Sequence, residues 1–210
     1  MTRVLIADDH EVVRRGLKDL LADAFDHLQF GEARTAQETL ELAQQEDWDI
    51  VLLDLNMPGR GGLEILADLK RLRPEKPVLV LSAFPEQDYA MRALKLGASG
   101  YLTKQSASDE LLAAFRKSLA GGKYVTASMA ERLAAHLSGE TPSEPHEALS
   151  PRELQVLRFI ASGKTVKEIA AELSLSEKTI GTYRTRISEK LHVSTNVELT
   201  RYALQHKLVD

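Results

Sequence analysis

The first 120 or so residues alternate between two hydrophobic periods. Short apolar runs recur at Val4–Ala7, Ile50–Leu53 and Val78–Leu81, with a shorter one at Gly100–Leu102 and a less continuous one near Leu28–Ala33. Between them lie helix-length stretches whose apolar residues stand three and four apart, such as Leu63, Leu66 and Leu69, or Leu111, Leu112 and Phe115. A continuous short run suits a strand buried on both faces, and the three-and-four spacing suits a helix with one buried stripe. Their alternation implies βαβ units and a parallel sheet covered by helices on both sides. Five such units predict a doubly wound α/β domain with a flavodoxin-like, five-stranded parallel sheet.

The pattern changes after Gly121-Gly122, which ends the last helix of that domain. One further helix is predicted over Thr126–Leu137, with Met129, Leu133 and Leu137 on one side. Ser138 to Pro145 is polar and contains Gly139, Pro142 and Pro145, the composition of a flexible tether. Helix starts then follow in close order. Ser150-Pro151-Arg152-Glu153 reads as a capping box with proline at the first helical position, and Thr165-Val166-Lys167-Glu168 as a second box. Ser176 and Thr195 head the third and fourth helices. Four short helices without a strand make a small all-α domain, and the turn of about three residues between the second and third has helix-turn-helix spacing. The predicted organisation is a domain over 1–121, a linker over 122–147 with one helix and a tether, and a helical domain over 148–210.

Composition narrows the setting. The chain has no cysteine, which excludes disulfides and thiolate metal sites. The apolar run at the start is stopped by Asp8-Asp9 after five residues, too few for a signal peptide, and no run approaches a membrane span. These features predict a cytoplasmic protein without membrane contact. The net charge of −4 is unevenly spread: Ala148 to Asp210 holds 10 Lys and Arg against 7 Asp and Glu, leaving 17 against 24 elsewhere. A basic C-terminal part after an acidic N-terminal one points to nucleic acid for the former.

In a doubly wound sheet, functional groups collect beyond the carboxyl ends of the strands. Asp8-Asp9 follows the first predicted strand, Asp54 the third, Ser82 the fourth and Lys104 the fifth. Three converging carboxylates need a cation, and oxygen ligands with a phosphate partner favour Mg²⁺. A carboxylate beside that ion can attack phosphorus and form an aspartyl phosphate, whose oxygens Lys104 and Ser82 can bind. Alone, each residue has a plainer role: Asp8-Asp9 as a helix cap, Asp54 as a turn residue, Ser82 and Lys104 in loops. Their shared position at successive strand ends favours a site.

Asp8-Asp9, Leu53-Asp54-Leu55-Asn56-Met57-Pro58-Gly59, Ser82-Ala83 and Lys104 resemble the receiver-domain motif of response regulators, over roughly residues 1–120. The resemblance implies that Asp54 takes phosphate from a histidine kinase. It implies that Asp8, Asp9, Asp54 and the Asn56 backbone carbonyl hold Mg²⁺. It also implies a switch in which Ser82 moves to the phosphate and Tyr101 changes rotamer behind it. Gln105 departs from the pattern, since many receivers have proline after this lysine.

Wound at 100° per residue, the predicted helix Ser176–Leu191 gathers Ile180, Ile187 and Leu191 in one arc with Tyr183 at its edge. Lys178, Thr182, Thr185 and Glu189 fall opposite, beside Arg186 and Arg184, a face suited to a major groove. Leu149-Ser150-Pro151-Arg152-Glu153-Leu154, Lys167-Glu168-Ile169-Ala170 and Ser176-Glu177-Lys178-Thr179-Ile180 resemble the LuxR/NarL-type helix-turn-helix. With the receiver, this is the NarL/FixJ architecture over nearly the whole chain. The resemblance implies base-facing positions at Gly181, Thr182 and Thr185, where glycine departs from the longer residue common at the first. Lys178, Arg184, Arg186 and Lys190 are the candidate phosphate contacts. In this architecture the last helix, Val197–His206, commonly pairs two domains, so Leu199, Ala203 and Leu204 are candidate dimer contacts that can equally pack on their own core.

The favoured reading is a two-component transcriptional regulator. Phosphate on Asp54 controls dimerisation and binding to two half-sites in double-stranded DNA, with Mg²⁺-dependent self-phosphorylation and self-dephosphorylation as its only catalysis. Two rivals stand beside it. A phosphatase of the haloacid dehalogenase type would need its nucleophile after the first strand in an Asp-x-Asp pattern, where this chain has Asp8-Asp9-His10. A receiver acting by protein contact alone would need a helical domain that no longer reads sequence.

Overall fold

The computed structural model describes residues 1–57, 61–137, 144–173, 175–206 and 208–209. Its chain forms two compact units, Met1–Glu140 and Thr141–Asp210. Most of the predicted tether, the Pro58-Gly59 end of the Asp54 motif and Ser174 of the helix-turn-helix lie outside the described residues.

In the first unit, β1 (Thr2–Ala7), β2 (Leu28–Ala33), β3 (Ile50–Asp54), β4 (Val78–Ser82) and β5 (Gly100–Thr103) alternate with α1 (Glu11–Ala24), α2 (Ala36–Gln45), α3 (Gly62–Leu72), α4 (Glu86–Lys95) and α5 (Ser108–Leu119). The strands form one parallel sheet in the order β2-β1-β3-β4-β5. The order reverses direction at β1, so a crevice opens between the ends of β1 and β3. Every residue of β3 and β4 is buried, as expected of central strands roofed on both faces. The edge strand β2 is buried fully only at Ala33, which explains its weak hydrophobic signature. Val4, Ile6, Ile50, Leu52, Leu79 and Leu81 pack with Leu21, Leu111 and Phe115 into a core between the sheet and helices α1 and α5.

Gly62 opens α3 against the loop that leaves β3. A methyl group there would stand 2.3 Å from the Leu55 Cα, so only glycine lets α3 begin this close to the end of β3. Helix α6 (Ala127–Leu137) follows, packs on α4, buries Met129, and is tied to α4 by a Thr126 hydroxyl donating to Glu86 at 2.8 Å.

The second unit contains a 3₁₀ turn at Pro145–Ala148, then α7 (Pro151–Ala161), α8 (Val166–Glu172), α9 (Glu177–Leu191) and α10 (Asn196–Gln205). Capping boxes close the starts of α7, α8 and α10 through Ser150/Glu153, Thr165/Glu168 and Thr195/Glu198. The Ser176 hydroxyl caps α9 by accepting from the Thr179 N–H. Each box satisfies donors that a helix start otherwise leaves unpaired, so the four helices have sharp beginnings written into the sequence. Helix α9 ends on His192 in the left-handed conformation, φ 54° and ψ 42°. No helix among the described residues is long and apolar enough to cross a membrane.

Candidate functional site

The sheet delivers the predicted acidic residues to one place. Asp54 is the last residue of β3 and is 1% exposed; Asp8, one residue past β1, is 2% exposed. Lys104, just past β5, reaches back between them, its ammonium 2.6 Å from Asp8 Oδ2 and 2.7 Å from Asp54 Oδ2. The second Asp54 oxygen, Oδ1, accepts from the Asn56 N–H at 2.9 Å. Asp9 lies at the rim, exposed, with its Oδ1 2.8 Å from His10 Nδ1.

Burial pushes the Asp54 carboxyl above the ordinary aspartate range, although the Lys104 ammonium and the Asn56 N–H pull the other way; the Asp8 charge adds to the rise. Burial also works against charge on Lys104, but its hydrogen bonds to Asp54 and Asp8 prevail and hold the ammonium above the usual lysine range. The site is therefore built around carboxylates that burial makes costly and a cation held firmly charged.

Oxygens of Asp8, Asp9 and Asp54, with a ring nitrogen of His10, lie within 4.8 Å of one another. Three carboxylates are the hard oxygen donors that Mg²⁺ takes, and a single lysine leaves their charge undercompensated, so the residues fit such an ion. The Asn56 Oδ1 is buried without a hydrogen-bond partner beside this cluster, one more oxygen unspent by the protein itself.

Ser82 and Tyr101 meet at a different point, the backbone of Phe84. The Ser82 hydroxyl accepts from the Phe84 N–H at 3.2 Å, and the buried Tyr101 hydroxyl donates to the Phe84 carbonyl at 2.9 Å. The Phe84 ring stacks on Tyr89 at 4.4 Å. The β4–α4 turn is thus tied to both residues. The peptide between Lys104 and Gln105 is trans, as are all others among the described residues.

Two members of this site escaped the sequence reading. Arg14 is buried and donates to the Asp8 carbonyl at 2.9 Å and to Glu32 Oε2 at 2.8 Å, which fixes the backbone that carries Asp8. The signal was available: Arg14 stands three and seven residues before Leu17 and Leu21, on the core face of α1. His10 donates its N–H to Asp8 Oδ1 at 2.8 Å and adds a ring nitrogen at the rim.

In the second unit, Ile180, Ile187 and Leu191 are buried on the inner face of α9, against α7 and α8. Lys178, Gly181, Thr182, Arg184, Thr185 and Arg186 are exposed. The Thr182 and Thr185 hydroxyls donate to the carbonyls of Lys178 and Gly181, both at 3.1 Å. A Cβ at Gly181 would meet nothing within 4 Å, so packing does not require the glycine.

Two expectations meet partners inside the unit itself. Lys190, expected among the phosphate contacts, has its ammonium 2.6 Å from Glu153 Oε2, so its charge is already matched by the carboxylate of the α7 capping box. Of the two alternatives for Leu199 and Ala203, a dimer contact or packing on their own core, the structure favours the second: both are 0% exposed, turned by α10 onto α7 inside their own unit. Leu204, the third candidate, is 51% exposed, and Val197, one residue inside α10, is 78% exposed. They line an open groove with Thr200 and Arg201.

Comparison with known proteins agrees over the whole length. Residues 4–116 match the response regulator receiver domain, and residues 147–203 match the luxR family of bacterial regulatory proteins. The chain is 38% identical to the response regulator GacA of Pseudomonas aeruginosa, over 100% of this chain and 99% of that protein. It is 35% identical to the response regulator UvrY of Escherichia coli K12, over 99% and 96%. Among solved structures, RcsB of Salmonella enterica serovar Typhimurium, bound to a promoter in the presence of the phosphomimetic BeF₃⁻, superimposes with a TM-score of 0.60 at 28% identity, covering 96% of this chain and 98% of that one.

Proposed function

The chain belongs to the NarL/FixJ family of two-component response regulators, a phosphorylation-dependent transcriptional regulator and not a classical enzyme, and from that premise we propose that Asp54 is its phosphoacceptor. It takes its signal from a histidine kinase and binds DNA. The observation that carries the assignment of Asp54 is the Lys104 ammonium bridging Asp54 and Asp8 at the mouth of the sheet.

In this reading an Asp54 carboxylate oxygen attacks the phosphorus of the kinase phosphohistidine. The new P–O bond forms as the P–N bond breaks, and the phosphoryl group moves to Asp54. Asp8, Asp9, Asp54 and the Asn56 carbonyl hold Mg²⁺, which supplies charge neutralisation for the transferring group. Lys104 shifts from the carboxylate to a phosphoryl oxygen, a short move for an ammonium already 2.7 Å from Asp54. Ser82 turns its hydroxyl from the Phe84 N–H to a second oxygen. The β4–α4 turn then follows, and Tyr101, tethered to the Phe84 carbonyl, follows the turn. Self-phosphorylation from small donors and self-dephosphorylation by water use the same residues.

In the second unit α9 enters the major groove. Gly181, Thr182 and Thr185 face the bases, while Lys178, Arg184 and Arg186 contact phosphates. Lys190 serves to lock α9 to α7 through Glu153. The outer face of α10, with Val197 and Leu204, pairs two copies when Asp54 is phosphorylated, which places two recognition helices on two half-sites. The protein acts in the cytoplasm. The domain boundaries that accompany this reading are 1–121, 122–147 and 148–210, with α6 as the helix of the linker.

Intact mass after incubation with Mg²⁺ and a small phosphodonor tests the core of it. The wild type is expected to gain one phosphoryl group that requires Mg²⁺, and an Asp54→Asn variant none. Equal gain on both proteins would reject Asp54 as acceptor.

A further inference from the structure

Outside the receiver site, a second cluster of metal-binding side chains stands where the chain enters the helical unit. Glu144 precedes the 3₁₀ turn, His146 lies within it, and His206 follows the last residue of α10. One ligating atom from each lies within 4.8 Å of the others. All three residues are half-buried, sheltered enough to hold an ion and open enough to admit one.

One separation in the cluster already matches that between two ligands of a bound metal. The His206 Nδ1 to Glu144 Oε2 separation is 3.2 Å. Two ligands on a tetrahedral Zn²⁺ with bonds near 2.0–2.1 Å stand about 3.3 Å apart, so this pair already spans one edge of the tetrahedron. The third ligand is held in place from outside. The Tyr202 hydroxyl accepts from the His146 N–H and lies 3.2 Å from His146 Nδ1, while the Tyr202 ring stacks on His206 at 4.2 Å. Tyr202 thus fixes both imidazoles, the part that outer partners play around metal-binding histidines.

We propose that Glu144, His146 and His206 form a binding site for a divalent transition-metal ion, of which Zn²⁺ is the probe of choice. Two imidazoles and one carboxylate are borderline donors that suit this class over Mg²⁺ or Ca²⁺, and three ligands leave a fourth position for water. The bound ion links the segment that enters the helical unit to the end of α10, residues about 60 apart in the sequence. The site is independent of the phosphoacceptor reading and shares no residue with it.

Without an ion, the same groups make a hydrogen-bonded cap on α10 and nothing more, and the experiment separates the two. Metal-stripped full-length protein, kept in excess Mg²⁺, is titrated with Zn²⁺ in competition with a chromophoric chelator. We expect one Zn²⁺ per chain. Loss of even an outer partner weakens a metal site about 10–100-fold, so Glu144→Gln and His206→Gln are each expected to weaken binding at least tenfold. A His10→Gln variant, altered at the receiver cluster, should retain it. Far-UV circular dichroism checks that the variants fold. Should His206→Gln fail to fold, the more exposed Glu144→Gln carries the comparison, because it removes a ligand charge without touching either ring. Cobalt(II) should give the visible band of a four-coordinate site in the wild type and lose it in Glu144→Gln. No stoichiometric Zn²⁺, equal binding by Glu144→Gln, or loss in His10→Gln alone would overturn the proposal.

Discussion

Asp54 is 1% exposed and sits 2.7 Å from an ammonium, whereas Arg186 stands in solvent on the outer face of α9. The candidate sites of the two units carry charge in these opposite ways. The first buries Asp8, Arg14 and Asp54 and settles them with Lys104, Glu32 and backbone groups. The second exposes the cations on the outer face of α9 and, among the described residues, buries the Glu153 carboxylate, which serves a helix cap and one lysine. Buried charge is expensive and strongly coupled, so it suits a site that must change state when one group is modified. Exposed charge is cheap, weakly coupled and screened by salt, so it suits a surface that must find and leave a polyanion.

The contrast can be broken most forcefully at Lys104. Lys104→Met leaves Asp8 and Asp54 buried without their cation, and removing one partner of a buried pair costs about 3 kcal/mol or more. The only tryptophan, Trp48, is buried in the first unit, so its fluorescence during denaturant unfolding reports that unit alone. We expect a loss of that order without Mg²⁺ and substantial recovery with it. A stability unchanged in either condition would mean that the carboxylates are not coupled through this lysine.

Glu153→Gln tests the buried carboxylate among the described residues of the second unit. Burial raises its acidity constant's midpoint less than the Lys190 and Ser150 hydrogen bonds lower it, so the folded carboxyl titrates below the ordinary glutamate value of 4.5. A depressed folded value contributes stability that is present above the unfolded pKa and lost as pH falls through the folded one. Because Lys190 is partly in water, the expected loss at neutral pH is about 1–2 kcal/mol. Circular dichroism melts should show wild type and variant converging below pH 4.5, with no convergence if Glu153 is uncoupled.

Arg186→Ala sharpens the contrast from the exposed side. Loss of one phosphate contact should reduce the slope of log affinity against log salt by about 0.9, equally on all sequences, with folding unaffected. A loss confined to one base position would assign Arg186 to reading instead. The smallest effect is expected at Gly181→Ala, a gain of about 0.5–1 kcal/mol in the helical unit, since the added methyl enters open space and removes a helix-weakening glycine. Destabilisation would show that the helix needs this glycine.

Reading the sequence succeeded where the signal was local. The capping boxes at Ser150, Thr165 and Thr195 and the carboxylates at the ends of β1 and β3 follow from residues a few positions apart. Even the weak edge strand was legible, because β2 spans Leu28–Ala33 as its flanks suggest. What the sequence hid are pairings across long separations, such as Lys190 with Glu153 or Glu144 with His206. No periodicity encodes them. Helix α10 shows a third kind of difficulty: Leu199 and Ala203 form one apolar stripe and Val197 and Leu204 another. With apolar residues on two faces, spacing alone does not say which is inward.

The open space around Gly181 bears on how such a regulator changes over time. The buried positions of α9, Ile180, Ile187 and Leu191, hold the helix to its neighbours, and its exposed positions present a surface outward. At Gly181 packing sets no demand at the first carbon of a side chain, since a Cβ there would meet nothing within 4 Å. If Gly181 faces the bases as proposed, a substitution at this point alters what the helix offers to DNA without crowding its own neighbours at the Cβ. Duplicated copies of the gene can therefore diverge in target choice at this position without first acquiring compensating mutations in the core, and a library varied at Gly181 alone is a direct way to retune the protein in the laboratory.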